Sequence, residues 1–128
     1  MLSYDSAGDA LDLFAEELPP EFYRDLNGGI VLDTDAKAHP ELPEDKYLVL
    51  GEYIRDTRLG NHVRIYYGSF ARTFPYASDG FWRKKLREVL RHEMRHHVEN
   101  LAGVRDLELE DEAFLARAKA TLAQTNKT

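Results

Sequence analysis

The 128-residue chain contains no cysteine, which excludes disulfides and any zinc site built on thiolates. A metal in this protein has to be held by histidine and carboxylate. It also lacks any apolar run near the roughly 18 residues of a membrane-spanning helix. The opening, MLSYDSAGDALDLFAEELPPEF, carries acids where a secretory signal needs basic residues ahead of an apolar stretch. The expectation is therefore a cytoplasmic protein with no membrane partner. An excess of basic charge is missing too: the formal net charge is −6, which disfavours broad attraction to nucleic acid. Repeats and low-complexity tracts are absent, and 128 residues fit one domain.

What is present reads as a small α+β domain. SAGDALDLFAEEL puts Ala10, Leu11, Phe14 and Leu18 near helical spacing behind a cap at Ser6 or Asp9. The Pro pair of LPPEFYRDL ends that helix. GGIVLDTD, KYLVLGEYI and HVRIYYGSF are β-rich runs, the last two separated by a turn at Gly60-Asn61. They predict an antiparallel or mixed sheet of three or four strands, with AHPELPEDK as a polar loop. From a cap at Ser78 or Asp79, the residues Trp82, Leu86, Val89, Leu90, Met94, His97 and Leu101 recur at threes and fours. That spacing predicts a long helix stopped at Gly103. A final helix is expected over about residues 108–123.

Chemistry is concentrated in HEMRHHVENLAGVRD, residues 92–106, with three of the five histidines. His92 and His96, four residues apart, share one face of the long helix and can grip one zinc ion. Glu93 lies about 100° around the helix, beside the metal, where it can take a proton from metal-bound water. Zinc brings the pKa of such water toward about 7. The composition yields roughly 0.02 chance matches to H-E-x-x-H, so the spacing is informative. His97 falls on the core spacing and reads as a buried, hydrogen-bonded histidine. Arg83, Arg87, Arg91 and Arg95 form a stripe that suits a solvated face or phosphate, and in an otherwise acidic chain a solvated face is favoured.

The sequence resembles the small bacterial zincin-like metallopeptidases, also called minimal zincins or minimal gluzincins. The likeness runs from LPPEF at residues 18–22, through LGEYI and VRIYY, to the helix bearing His92, Glu93 and His96, with the doubled His96-His97. It implies a zincin-like fold with an N-terminal helix, a small sheet, a long active-site helix and a C-terminal helix. It also implies His92 and His96 as zinc ligands, Glu93 as general base, and the aspartate of a Gly-x-x-Asp unit as third ligand. That unit survives as Gly103-Val104-Arg105-Asp106, four residues later than in the family pattern. A helix ending at Ala102 stops about 9 Å beyond His96, and three extended residues span about 10 Å, so return to the metal is tight. Asp106 can instead cap the final helix, leaving Asp111 or Glu112 to close the site. Glu99, on the same face, is expected beside the ligands rather than among them. In zincin folds an edge strand pairs with extended substrate, which the resemblance assigns to the run from His62 to Gly68. Tyr66, Tyr67 and His62 are the candidate donors to the oxyanion.

The expected function is a zinc-dependent, metallopeptidase-like hydrolase acting on a peptide or unfolded segment, weak or dependent on a protein partner. The alternative is a zinc-binding scaffold on the same fold that no longer turns over peptides. The intact Glu93 speaks against it, since binding alone needs no base.

Overall fold

The computed structural model describes residues 1–42, 47–104 and 116–122. Helix α1 spans Tyr4–Glu16 and is followed by a 3₁₀ turn at Pro20–Tyr23. The strands are β1 (Gly29–Asp33), β2 (Lys37–Ala38), β3 (Leu48–Val49), β4 (Gly51–Ile54) and β5 (His62–Tyr66). Helix α2 (Tyr67–Thr73) leads to helix α3 (Asp79–Val104), and residues 116–122 are helical. The chain is α+β, as its pattern predicts. No helix among the described residues is long and apolar enough to cross a membrane.

The sheet is mixed, in the order β1-β5-β4, with β1 parallel and β4 antiparallel to β5. β2 and β3 form a separate antiparallel pair. Val63 and Ile65, on one face of β5, are fully buried and meet Phe22, Leu86, Leu90, Met94 and Val98 in the core. The core thus lies between the sheet and helices α1 and α3. An aromatic group closes one end: Trp82 is fully buried, packs on Tyr67 and Phe70, and donates its Nε1–H to the Phe74 carbonyl at 2.9 Å. Burying its indole is tolerable because that donor is met.

On the opposite sheet face the contacts are ionic. Lys37 of β2 pairs with Glu52 of β4, Tyr66 donates to the same carboxylate at 2.7 Å, and Arg64 pairs with Asp33 at 2.8 Å. The Asp35 backbone N–H and the Arg64 guanidinium hold the Asp33 carboxyl below the usual range. Burial pushes Glu52 up, but the Lys37 and Tyr66 hydrogen bonds outweigh it and the net direction is down.

Several local expectations are corrected. The cap of α1 is Ser3, whose side chain accepts from Ser6 N–H at 3.1 Å, in place of Ser6 or Asp9. The end of the third β-rich run, Tyr67 onward, is helix α2. Gly68 permits this: a Cβ there would lie 2.4 Å from Ala36 N and 2.5 Å from Asp35 C, so the first turn of α2 rests directly on the backbone after β1. Helix α3 starts at the Ser78 cap, with Phe81 N–H donating to Ser78 Oγ at 3.1 Å, but it passes through Gly103 to Val104. The predicted final helix is described only over residues 116–122.

These contacts set three expected outcomes. Gly68→Ala should lower stability in urea unfolding by about 1–3 kcal/mol, because backbone must move to admit the methyl. Gly103→Ala, with nothing within 4 Å of the added carbon, should raise it by about 0.5–1 kcal/mol. Asp33→Asn should lower stability at pH 7. A depressed folded pKa contributes stability above the unfolded value of about 3.9 and loses it as pH falls through the folded value. The gap between wild type and Asp33→Asn should therefore close below about pH 4; a gap unchanged down to about pH 2 would contradict the ion pair's role.

Candidate active site

Along α3 the side chains sort by face. Met94, His97 and Val98 are fully buried in the core, Glu93 is 8% exposed, and His92 and His96 are exposed. The imidazoles of His92 and His96 stand with centroids 5.0 Å apart and planes at 89°. Among the described residues no protein group hydrogen-bonds to either ring. Two imidazoles sharing a tetrahedral zinc at about 2.0–2.1 Å would place their centroids about 5.2 Å apart, close to the separation of this pair. Burial, and then the neighbouring His96 and Arg95, push the His92 pKa down, which favours the neutral form that binds metal.

Glu93 lies against the edge strand. Leu50 accepts a hydrogen bond from Tyr66 N–H at 2.9 Å, and Glu52 and Ile54 pair with Arg64 and His62 of β5. By antiparallel alternation, Gly51 and Tyr53 direct their backbone groups away from β5. Tyr53 N–H faces the Glu93 carboxylate. Burial pushes the Glu93 carboxyl up to about 7, with the Tyr53 N–H working against the rise and Glu52 adding to it. The strand comes this near because residue 51 is glycine: a Cβ there would sit 2.6 Å from Val89 Cγ1 and 3.5 Å from Glu93 Cγ.

Tyr53 ties the strand to α3 a second time. Its hydroxyl donates to His97 Nδ1 at 2.7 Å, while His97 Nε2–H donates to the Arg24 carbonyl at 2.7 Å. Asn100 Nδ2 donates to the Tyr53 hydroxyl at 3.1 Å. His97 is thus the buried, hydrogen-bonded histidine expected from its spacing, with burial pushing its pKa down. Two clefts flank Glu93. One, of about 510 Å³, includes Gly51, Val89, His92, Glu93 and Lys119. The other, of about 600 Å³, includes Glu52, Tyr53, Arg55, Glu93, His96 and Asn100.

The structure brings His92, Glu93 and His96 together at these clefts. Asp106, Asp111 and Glu112 lie outside the described residues, among which no group of three or more His, Asp and Glu side chains forms a metal site. Glu99 pairs with Arg95 at 3.0 Å. The edge strand expected from His62 to Gly68 is corrected: β5 is the central strand, paired on both sides, because β1 returns parallel to it. The strand beside the motif helix is β4. The three oxyanion candidates are turned elsewhere. Tyr66 donates to Glu52, Tyr67 donates to the Leu2 carbonyl at 2.7 Å, and His62 Nδ1 meets the Gly60 carbonyl at 2.9 Å. None of the three lines either cleft. The arginine stripe is largely spent on ion pairs, with Arg87 and Arg91 at Glu17 and Arg95 at Glu99. Sequence reasoning missed Gly51 and Tyr53, although a glycine opening a strand is the usual mark of close backbone approach.

No family model matches the chain, and no curated protein matches it. Among solved structures it is similar to a conserved hypothetical protein from Thermus thermophilus. Identity is 34%, the TM-score is 0.66, and the match covers 79% of this chain and 98% of that one. At that identity and coverage the chain belongs to the same family as that protein, whose description states no activity.

Tyr53→Phe should cost about 1–2 kcal/mol in urea unfolding, because His97 Nδ1 is left buried without its donor. A cost near zero would show that the hydroxyl does not tie β4 to α3.

Proposed function

We propose that the chain is a zincin-like, zinc-dependent hydrolase of peptide bonds, with His92 and His96 as metal ligands and Glu93 as general base. The observation that carries the reading is the joint placement of an imidazole pair at chelating separation and a nearly buried carboxylate between two clefts at the edge strand. The third ligand in this reading is Asp106, with Asp111 and Glu112 as alternatives.

Zinc, when bound, would supply Lewis acidity that acidifies water and polarises a carbonyl. The remaining work falls to the chain. Glu93, nearly buried beside β4, accepts the proton from the attacking water and returns it to the leaving amine. The outward N–H and carbonyl of Gly51 and the Tyr53 carbonyl, with Tyr53 N–H turned to Glu93, offer a rail on which an extended peptide can pair as an added strand. That pairing would lay its scissile carbonyl across the His92, Glu93 and His96 face. The Tyr53–His97–Arg24 chain of hydrogen bonds keeps strand and helix in fixed relation, so the base needs little reorganisation on binding.

Glu93→Gln should keep zinc at wild-type stoichiometry and lower hydrolysis of a peptide library by about 100-fold or more. Retained zinc with unchanged hydrolysis would remove Glu93 as base. Retained zinc with no hydrolysis by wild type would leave the zinc-binding scaffold.

A further inference from the structure

The cleft on the His92 side of Glu93 inverts the charge of the molecule. The chain carries a net charge of −6, yet four cations, Lys85, Arg91, Arg95 and Lys119, line this cleft against Glu88 and Glu93. Lys85 is partly compensated by Glu88 at 3.7 Å, and Arg95 by Glu99. Lys119 is exposed and makes no ion pair among the described residues.

Arg91 is the unusual member. It is 6% exposed, donates from Nη1 to the Thr121 carbonyl at 3.1 Å, and reaches Glu17 from Nη2 at only 3.4 Å. Its Nε has no hydrogen-bond partner among the described residues. A buried guanidinium with an unmet donor is costly unless an acceptor arrives. Glu17 offsets part of the charge and Arg87 adds a like one, and among the described residues neither meets Nε. Leu50 and Leu122 meanwhile give the same cleft apolar wall. Basic groups next to apolar wall, in a space of about 510 Å³, suit one or two residues of a peptide that carry a carboxylate.

We propose that this cleft recognises a substrate carboxylate, held by Lys119 over the buried charge of Arg91, with the adjoining apolar part against Leu50 and Leu122. It rests on the hydrolase reading above and narrows its substrate to peptides bearing a carboxylate close to the bond presented at Glu93. The carboxylate can be a chain terminus or an acidic side chain, and the test separates the two.

The full-length protein, ¹⁵N-labelled and stripped of metal with a chelator, is titrated with three peptides and followed by amide shifts. The peptides are acetyl-Ala-Ala-Leu as free acid, the same peptide as C-terminal amide, and acetyl-Ala-Asp-Leu amide. The free acid should bind about tenfold tighter than its amide, shifting Leu50, Gly51 and Lys119. Lys119→Ala should remove most of that preference, and Arg83→Ala, outside the cleft, should keep it. Arg91→Met, which removes the buried charge behind the cleft, should weaken the free acid if its spectrum stays native. Tight binding of the Asp-containing amide would assign the carboxylate to a side chain instead of a terminus. Equal binding of all three, or shifts confined to other surfaces, would overturn the proposal. Zinc content, measured separately, keeps the two claims apart. Discrimination without zinc binding would retain the carboxylate cleft and remove the hydrolase, and zinc binding without discrimination would do the reverse.

Discussion

The approach of helix α3 to the edge strand β4 at Gly51 is the constraint on which the rest of the site depends. A side chain at residue 51 would meet Val89 Cγ1 at 2.6 Å, so strand and helix would have to move apart. That separation would strain the bond from the Tyr53 hydroxyl to His97 Nδ1. Tyr53 meets α3 through its hydroxyl and turns its N–H toward Glu93. The arrangement couples the register of the sheet to the rotation of the helix. A slip of one residue in β4 would turn Tyr53 to the ionic face and bring Glu52 under α3.

The polar groups near α3 follow one rule at different burial. His97, fully buried, has both ring nitrogens satisfied. Glu93, nearly buried, has a carboxyl that burial pushes toward neutrality. His92 and His96, at the surface, keep their nitrogens unengaged by the described residues. Arg91 breaks the rule, buried with one donor unmet. Deviations of this kind cost stability and gather where a ligand is to be received.

Much of this was legible in the sequence. Periodicity located α1 and α3, because their apolar residues face a core on one side only. The α+β class and the turn at Gly60, with φ +81°, followed from composition and order. The motif residues could be placed on one helix because four-residue spacing has only one meaning there. What escaped notice depended on partners distant in sequence. The central place of β5 arises from parallel pairing with β1, far back along the chain, which no local pattern encodes. Likewise α2 continues a β-rich run as helix because Gly68 meets the backbone at Asp35 and Ala36. Tyr66, Tyr67 and His62 looked equivalent as donors until Glu52, Leu2 and Gly60 were seen to hold them.

The chemistry assigned to the His92, Glu93 and His96 face stands or falls on a metal. Its most direct measurement is elemental analysis of purified, untagged protein, as wild type and as His96→Ala and Asp106→Ala variants. The account predicts close to one zinc per chain in wild type, lost on removing His96 and also on removing Asp106. Zinc that persists without Asp106 moves the third ligand to Asp111 or Glu112. No zinc in wild type, even after reconstitution, would contradict the account and return the histidine pair to a solvated helix face.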